Sequence, residues 1–168
     1  MGSFVSDSSV LIHLASIGQL GLLREIFECI TVPPAVWREV VLQGRGISGA
    51  LEVERARQAG WIQVVEPVDA MLLRLLKRDL DDGEAETIAL GIEQGAALVL
   101  VDETDARAVA DLYEMSKTGT IGLLIRAKQE GHIDSLGSAL DRLRHQGGFW
   151  IEDRLYDQAL DAVRETHA

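Results

Sequence analysis

The chain has 168 residues, 47% hydrophobic and 26% charged, and its 27 acidic against 16 basic side chains leave a formal charge of −11. This fits one globular domain with a sizeable core, excludes an internal disulfide framework because Cys29 is the single cysteine, and weighs against any nucleic-acid binder that relies on net positive charge. No apolar run reaches the roughly 18–20 residues that span a bilayer and no basic-then-apolar leader opens the chain, so a reducing cytoplasm is expected, while His13, His132, His145 and His167 lack the spacing of a structural zinc site.

Strand and helix signals alternate, which predicts βαβ units and a parallel sheet. The opening Met1-Gly2-Ser3-Phe4-Val5-Ser6 matches the loose pattern for N-myristoylation, but it runs straight into a first strand at Phe4-Val5, where a lipidated glycine would have little freedom. Asp7 follows that strand directly. Ser8 or Ser9 is placed to cap a helix carrying Val10, Leu11 and Leu14, and Gly18 separates it from a short helix with Leu20, Leu22, Leu23 and Phe27. A second strand, residues 29–32, is stopped by Pro33-Pro34, and the same pair starts a helix through Ala35, Val36, Trp37 and Val40. Glu39 lies on that helix at about 60° from the Val36–Val40 stripe, where a carboxylate either looks into a cleft or simply faces solvent.

A helix over residues 48–59 ends at Gly60, and residues 61–65 read as a third strand ended by Pro67. After a helix with Met71, Leu72, Leu75 and Leu76, the segment Leu80-Asp81-Asp82-Gly83-Glu84-Ala85-Glu86 opens another helix with an acidic first turn. Asp82 is placed as its cap. Glu84 and Glu86 either serve a site or merely favour the positive helix end, an effect of about 0.3–1 kcal/mol. Residues 96–101 form a continuous apolar run, a strand buried on both faces, and Asp102 follows it. Asp102 and Asp105 are three apart at a strand-to-helix turn and could reach one ion, although Asp105 could equally cap the helix over residues 106–112. Thr118 and Thr120 fall in a weak fifth strand, from which they could hydrogen-bond the carboxylates or serve as ordinary strand threonines.

If the strands before Asp7 and Asp102 are parallel neighbours, both carboxylates emerge at the carboxyl edge, where open α/β sheets bind ligands. Two carboxylates there repel unless a cation compensates them, so the pattern predicts an acidic, cation-holding pocket. Further acidity, as over residues 152–165, reads as a solvated face. Arg45, Arg55 and Arg57 on one stretch, and Arg107, Lys117, Arg126 and Lys128 on another, are the cations available for a local basic groove. Gly44-Arg45-Gly46-Ile47-Ser48-Gly49 matches G-x-G-x-x-G with Asp69 about 20 residues on, but the preceding segment is helical rather than a strand, which favours a loop over a dinucleotide site. Phosphorylation of a strand-end aspartate would need paired acids after the first strand, and Asp7 stands without an acidic neighbour.

The segments Val5-Ser6-Asp7-Ser8-Ser9-Val10-Leu11-Ile12, Pro34-Ala35-Val36-Trp37-Arg38-Glu39-Val40-Val41, Asp82-Gly83-Glu84-Ala85-Glu86-Thr87-Ile88-Ala89-Leu90, Leu98-Val99-Leu100-Val101-Asp102 and Thr118-Gly119-Thr120-Ile121-Gly122-Leu123-Leu124 occur in one order over nearly the whole chain. Together they resemble a PIN domain, specifically a little-characterised prokaryotic branch related to VapC-type toxins. The resemblance implies a three-layer α/β/α fold with a central, mostly parallel sheet, spanning residues 1–168 with a C-terminal helical extension over about 132–168. It also implies a metal-dependent ribonuclease that cuts single-stranded RNA with Mg²⁺ or Mn²⁺, with an antitoxin protein and a second copy of the chain as expected partners and no membrane. Carried over, Asp7 is the first acid, Glu39 the second, Glu84 the third, and Asp102 with Asp105 the last, with Ser9 at the small polar position supporting the first. The third acid is usually aspartate in VapC-type toxins; Glu84 sets its carboxylate further out, and Glu86 is its possible substitute. Asp7, Asp102, Glu84 and Asp105 are the expected metal ligands, with Thr120 in support. Hard oxygen donors suit Mg²⁺, and one ion or a pair about 3.5–4 Å apart could activate the attacking water. The alternative within the resemblance is a catalytically weak module that acts by binding a protein partner.

Overall fold

The computed structural model describes residues 2–44 and 49–166. Strands β1 (Phe4–Ser6), β2 (Ile30–Val32), β3 (Ile62–Val64), β4 (Leu98–Leu100) and β5 (Lys117–Thr118) form one sheet in the order β3-β2-β1-β4-β5, with every neighbouring pair parallel. The strand residues explain this burial. Val5, Ile30, Val32, Ile62, Val99 and Leu100 are almost wholly inaccessible, as strands covered by helices on both faces require. β4 is shorter than the apolar run that predicts it, but hydrogen bonding continues at both ends, from Ala97 N–H to Ser3 O at 2.8 Å and from Val101 N–H to Thr118 O at 2.9 Å.

Helices cover the two faces. On one, α1 (Ser8–Ser16), α2 (Leu22–Phe27), α4 (Ala50–Gln58), α8 (Thr120–Gln129), α9 (Leu136–His145) and α10 (Asp153–Ala162) enclose a large apolar cluster; on the other, α5 (Ala70–Leu76), α6 (Asp82–Gln94) and α7 (Thr104–Leu112) enclose a smaller one. Alternation along β4 feeds both, Leu100 entering the first and Val99 and Val101 the second. The result is the three-layer α/β/α arrangement. α9 and α10 join the larger cluster through Leu136, Leu140, Leu143, Tyr156 and Leu160. No helix among the described residues is long and apolar enough to cross a membrane.

Several boundaries differ from expectation for local reasons. α1 is capped by Asp7, not by Ser8 or Ser9, because the helix begins one residue earlier and the Asp7 carboxylate reaches Val10 N–H. α6 is capped by Asp81, not Asp82, and Glu84 completes a capping box by returning to the Asp81 N–H. Thr120 opens α8 rather than lying in β5, and Asp105 sits in the first turn of α7 behind an N-cap at Glu103 rather than capping it. The helix from Pro34 runs as predicted through α3 (Pro34–Trp37) but widens into a π-helical turn over Arg38–Leu42, which carries Glu39. The helix expected over residues 48–59 is observed as α4; Ser48, Arg45, the centre of the glycine loop and His167 lie outside the described residues. Asp69, the acid a dinucleotide reading would need, caps α5 through Met71 and Leu72 N–H at 3.1 and 2.9 Å.

Candidate active site

β2 and β3 extend the sheet to one side of β1, while β4 and β5 extend it to the other, so the chain reverses its winding direction between β1 and β4. At such a switch point the loops leaving the strand ends part and open a crevice. The parallel register pairs Ser6 with Leu100 and Leu100 with Thr118, so Asp7, Asp102 and Thr120 all leave the sheet at its carboxyl edge. Asp7 is anchored there by its own N–H, which donates to Leu100 O at 3.0 Å.

Asp7 is 2% exposed. Its Oδ1 accepts the Val10 N–H at 3.0 Å, but Oδ2 is buried with no hydrogen-bond partner. Burial, reinforced by the charges of Asp102 and Glu84 and opposed by the backbone N–H groups of Val10 and Asp102, pushes its pKa up to about 8. At neutral pH, without a compensating cation, the group therefore favours its proton.

Asp102 faces the opposite balance. Burial would raise it, yet donors from His13 and Thr120 outweigh burial and hold it below the usual carboxylate range. Oδ1 accepts the Thr120 N–H at 2.7 Å; Oδ2 accepts the Thr120 hydroxyl at 2.6 Å and lies 2.8 Å from His13 Nδ1. The Thr120 bond is the one anticipated from sequence, although it comes from a helix start. His13 was missed, since histidines read against zinc spacing leave out the carboxylate contact; Ser9 and His13 one turn apart on α1 were the available signal. Room for Asp102 depends on Gly119, where a Cβ would fall 2.6 Å from Asp102 Oδ1 and 3.3 Å from Arg107 Nη1. Gly119→Ala, whose φ of −113° strains no side chain, is expected to push the carboxylate off its Thr120 donors and cost about 1–3 kcal/mol in urea unfolding; wild-type stability would show that Asp102 has room to spare.

The glutamates divide. Glu84 lies close enough to Asp7 to raise it, and its own pKa is raised by burial and then by the charges of Asp81, Glu103 and Asp105. Asp105 is exposed, on the outer side of this acidic group, and Glu103 is a member that sequence reading did not single out. Glu39 accepts the Ser8 hydroxyl at 2.8 Å and approaches Gly83 at the α6 start, where a Cβ would lie 3.3 Å from its Oε2. In this pair of serines it is Ser8 that bonds a carboxylate; Ser9 is half-buried one position on. Glu86 points elsewhere. It is 8% exposed and accepts the Ala35 N–H at 2.8 Å, closing the start of α3. Glu86→Ala should thus cost about 1–3 kcal/mol in chemical denaturation by orphaning that N–H. Full stability in that variant would show that Glu86 does not serve the α3 start and return it to the site.

Among the described residues, no three His, Cys, Asp or Glu side chains are close enough together to enclose a metal ion as they stand. Mg²⁺ does not require such a cage, because it keeps several waters and is commonly held by one or two carboxylates. The unpartnered Asp7 Oδ2 beside a carboxylate held charged at Asp102 fits that demand. Among the described residues of the two basic stretches, Arg57 stacks on Trp37, Arg126 pairs with Glu130 and Lys117 with Asp111, while Lys128 holds Glu165 at 3.2 Å. Arg107 lies beside Asp102 across Gly119, donating to Val101 O at 3.0 Å.

No curated protein matches this sequence. Among solved structures, the crystal structure of VapC20 from Mycobacterium tuberculosis, described as a sarcin-ricin loop cleaving toxin, is similar at 17% identity over 64% of this chain and 95% of that one, with a TM-score of 0.48. The family described as DUF3368: PIN domain matches residues 3–165, nearly the full length, with the parallel sheet and strand-end acids in place. The chain belongs to the PIN domain family.

Proposed function

We propose that this chain is a Mg²⁺- or Mn²⁺-dependent endoribonuclease that hydrolyses phosphodiester bonds of single-stranded RNA in the cytoplasm, as the toxin of a toxin–antitoxin pair. The observation that carries the reading is the buried Asp7 oxygen, unpartnered at the switch point beside Asp102. A buried anionic oxygen without a donor is costly, and a divalent ion is the partner that the surrounding carboxylates favour.

Asp7 and Asp102 would hold the ion, and Glu84, Asp105 and Glu39 are the carboxylates that would support it or orient water. When bound, the ion supplies an activated water at neutral pH and offsets charge gathering on the phosphodiester oxygens. Thr120 keeps Asp102 ionised and correctly turned. Ser8 holds Glu39 within reach of the crevice, and the capping box restrains Glu84 at the positive end of α6. Val68 and Met71, 85% and 82% exposed, are apolar side chains open to contact with an antitoxin or a second copy of the chain. With the excess negative charge, these exposed side chains also favour the second reading, a PIN-fold module acting through a protein partner.

The test is cleavage of a labelled single-stranded RNA pool with Mg²⁺ or Mn²⁺, comparing wild type with Asp7→Asn and Asp102→Asn. Metal-dependent cutting lost in both variants supports the nuclease. Equal cutting by all three indicates a contaminant, and no cutting by wild type moves the conclusion to the partner-binding module.

A further inference from the structure

The chain beyond α9 returns to the site. Gly147 approaches α1 so closely that a Cβ there would lie 2.8 Å from both Ser16 Oγ and Leu143 O, which excludes a side chain. Gly148 then adopts a φ of +60°, a conformation glycine takes readily, and the Phe149 N–H donates back to Leu143 O at 3.2 Å. These two glycines deliver the Phe149 ring onto His13, with centroids 4.6 Å apart and planes at 82°, a T-shaped aromatic contact. The same surfaces are tied elsewhere: the Arg142 guanidinium on α9 donates to Ile17 O just past the end of α1.

His13 Nδ1 in turn lies 2.8 Å from Asp102 Oδ2. At that distance Nδ1 is placed to donate to the carboxylate oxygen. Asp102 is thereby held from two sides, by Thr120 on α8 and by His13 on α1, and the His13 ring is braced by Phe149.

We propose that His13, braced by Phe149, is a positioning residue that fixes the Asp102 carboxylate for a divalent cation shared with Asp7, so that the segment after α9 forms part of the active site. This rests on the metal-nuclease reading. Partners one step removed from a metal typically change its affinity about 10–100-fold.

The experiment compares wild type, His13→Leu, His13→Asn and Phe149→Leu in the full chain, reading Mn²⁺ affinity by calorimetry and Thr120 amide hydrogen exchange without metal. His13→Leu should weaken Mn²⁺ binding about 10–100-fold and speed Thr120 exchange, since that N–H is shielded by a fixed Asp102. Asparagine can place a donor near the Nδ1 position and should restore most of both; Phe149→Leu, which keeps the donor but loosens the ring, should fall between and carries the comparison if His13→Leu does not fold. Wild-type affinity and exchange in His13→Leu overturn the inference, as does an equal loss in the leucine and asparagine variants. A wild type that binds no Mn²⁺ overturns the metal reading instead, and Thr120 exchange then decides the positioning role by itself.

Discussion

Asp7→Asn is expected to stabilise the fold while abolishing RNA cleavage. The folded-state pKa, raised from 3.8 to about 8, lies above the unfolded value. The neutral carboxyl therefore contributes stability that is fully present below about pH 4 and is lost as pH rises through about 8. At about 1.4 kcal/mol per pH unit of separation, ionising Asp7 in the metal-free protein costs on the order of 5 kcal/mol. Asparagine keeps an oxygen for the Val10 N–H and carries no charge to bury. Melting temperatures of variant and wild type should nearly coincide at pH 4 and diverge towards pH 8, where the variant leads by on the order of 10 °C. Mn²⁺ should raise the wild-type melting temperature and leave the variant unmoved, because only the wild type offers the anionic oxygen. Cleavage should fall about 10³-fold or more, the equivalent of the several kcal/mol that metal assistance supplies. A variant less stable than wild type at pH 8 would falsify the account of a strained, unpartnered carboxylate.

Asp102→Asn should abolish cleavage to a similar extent but move stability the other way. Its pKa is lowered, so its contribution to stability is present above about pH 4 and is lost as pH falls through the depressed folded value. Both oxygens are engaged, and an amide nitrogen in place of one oxygen would set donor against donor at His13 Nδ1 or at Thr120. Leaving such a buried donor unpaired costs about 1–3 kcal/mol, so urea unfolding at pH 7 should show a loss of about that size. Two aspartates at one sheet edge thus have opposite stability signatures. Parallel behaviour of the two variants would show that their environments are alike, contrary to the hydrogen bonding described.

Much of this architecture was readable from residue patterns. Alternating strand and helix signals, the apolar run before Asp102 and the Pro33-Pro34 break determine the parallel sheet and place Asp7 and Asp102 at strand ends, because burial on both faces demands uninterrupted apolar strands. The same reading left Glu84 and Glu86 interchangeable, since two acids in one helical turn look alike to any periodicity. Only packing separated them, by turning Glu86 onto the Ala35 N–H and leaving Glu84 near Asp7. His13 and Phe149, distant in sequence, carried no recognisable spacing; their contact exists because Gly147 and Gly148 fold the chain back onto α1. Local chemistry determines which residues cap, extend or terminate an element. Which carboxylate receives a donor and which is left bare depends on groups brought together across the fold, and the electrostatics of desolvation act only once that assembly is complete.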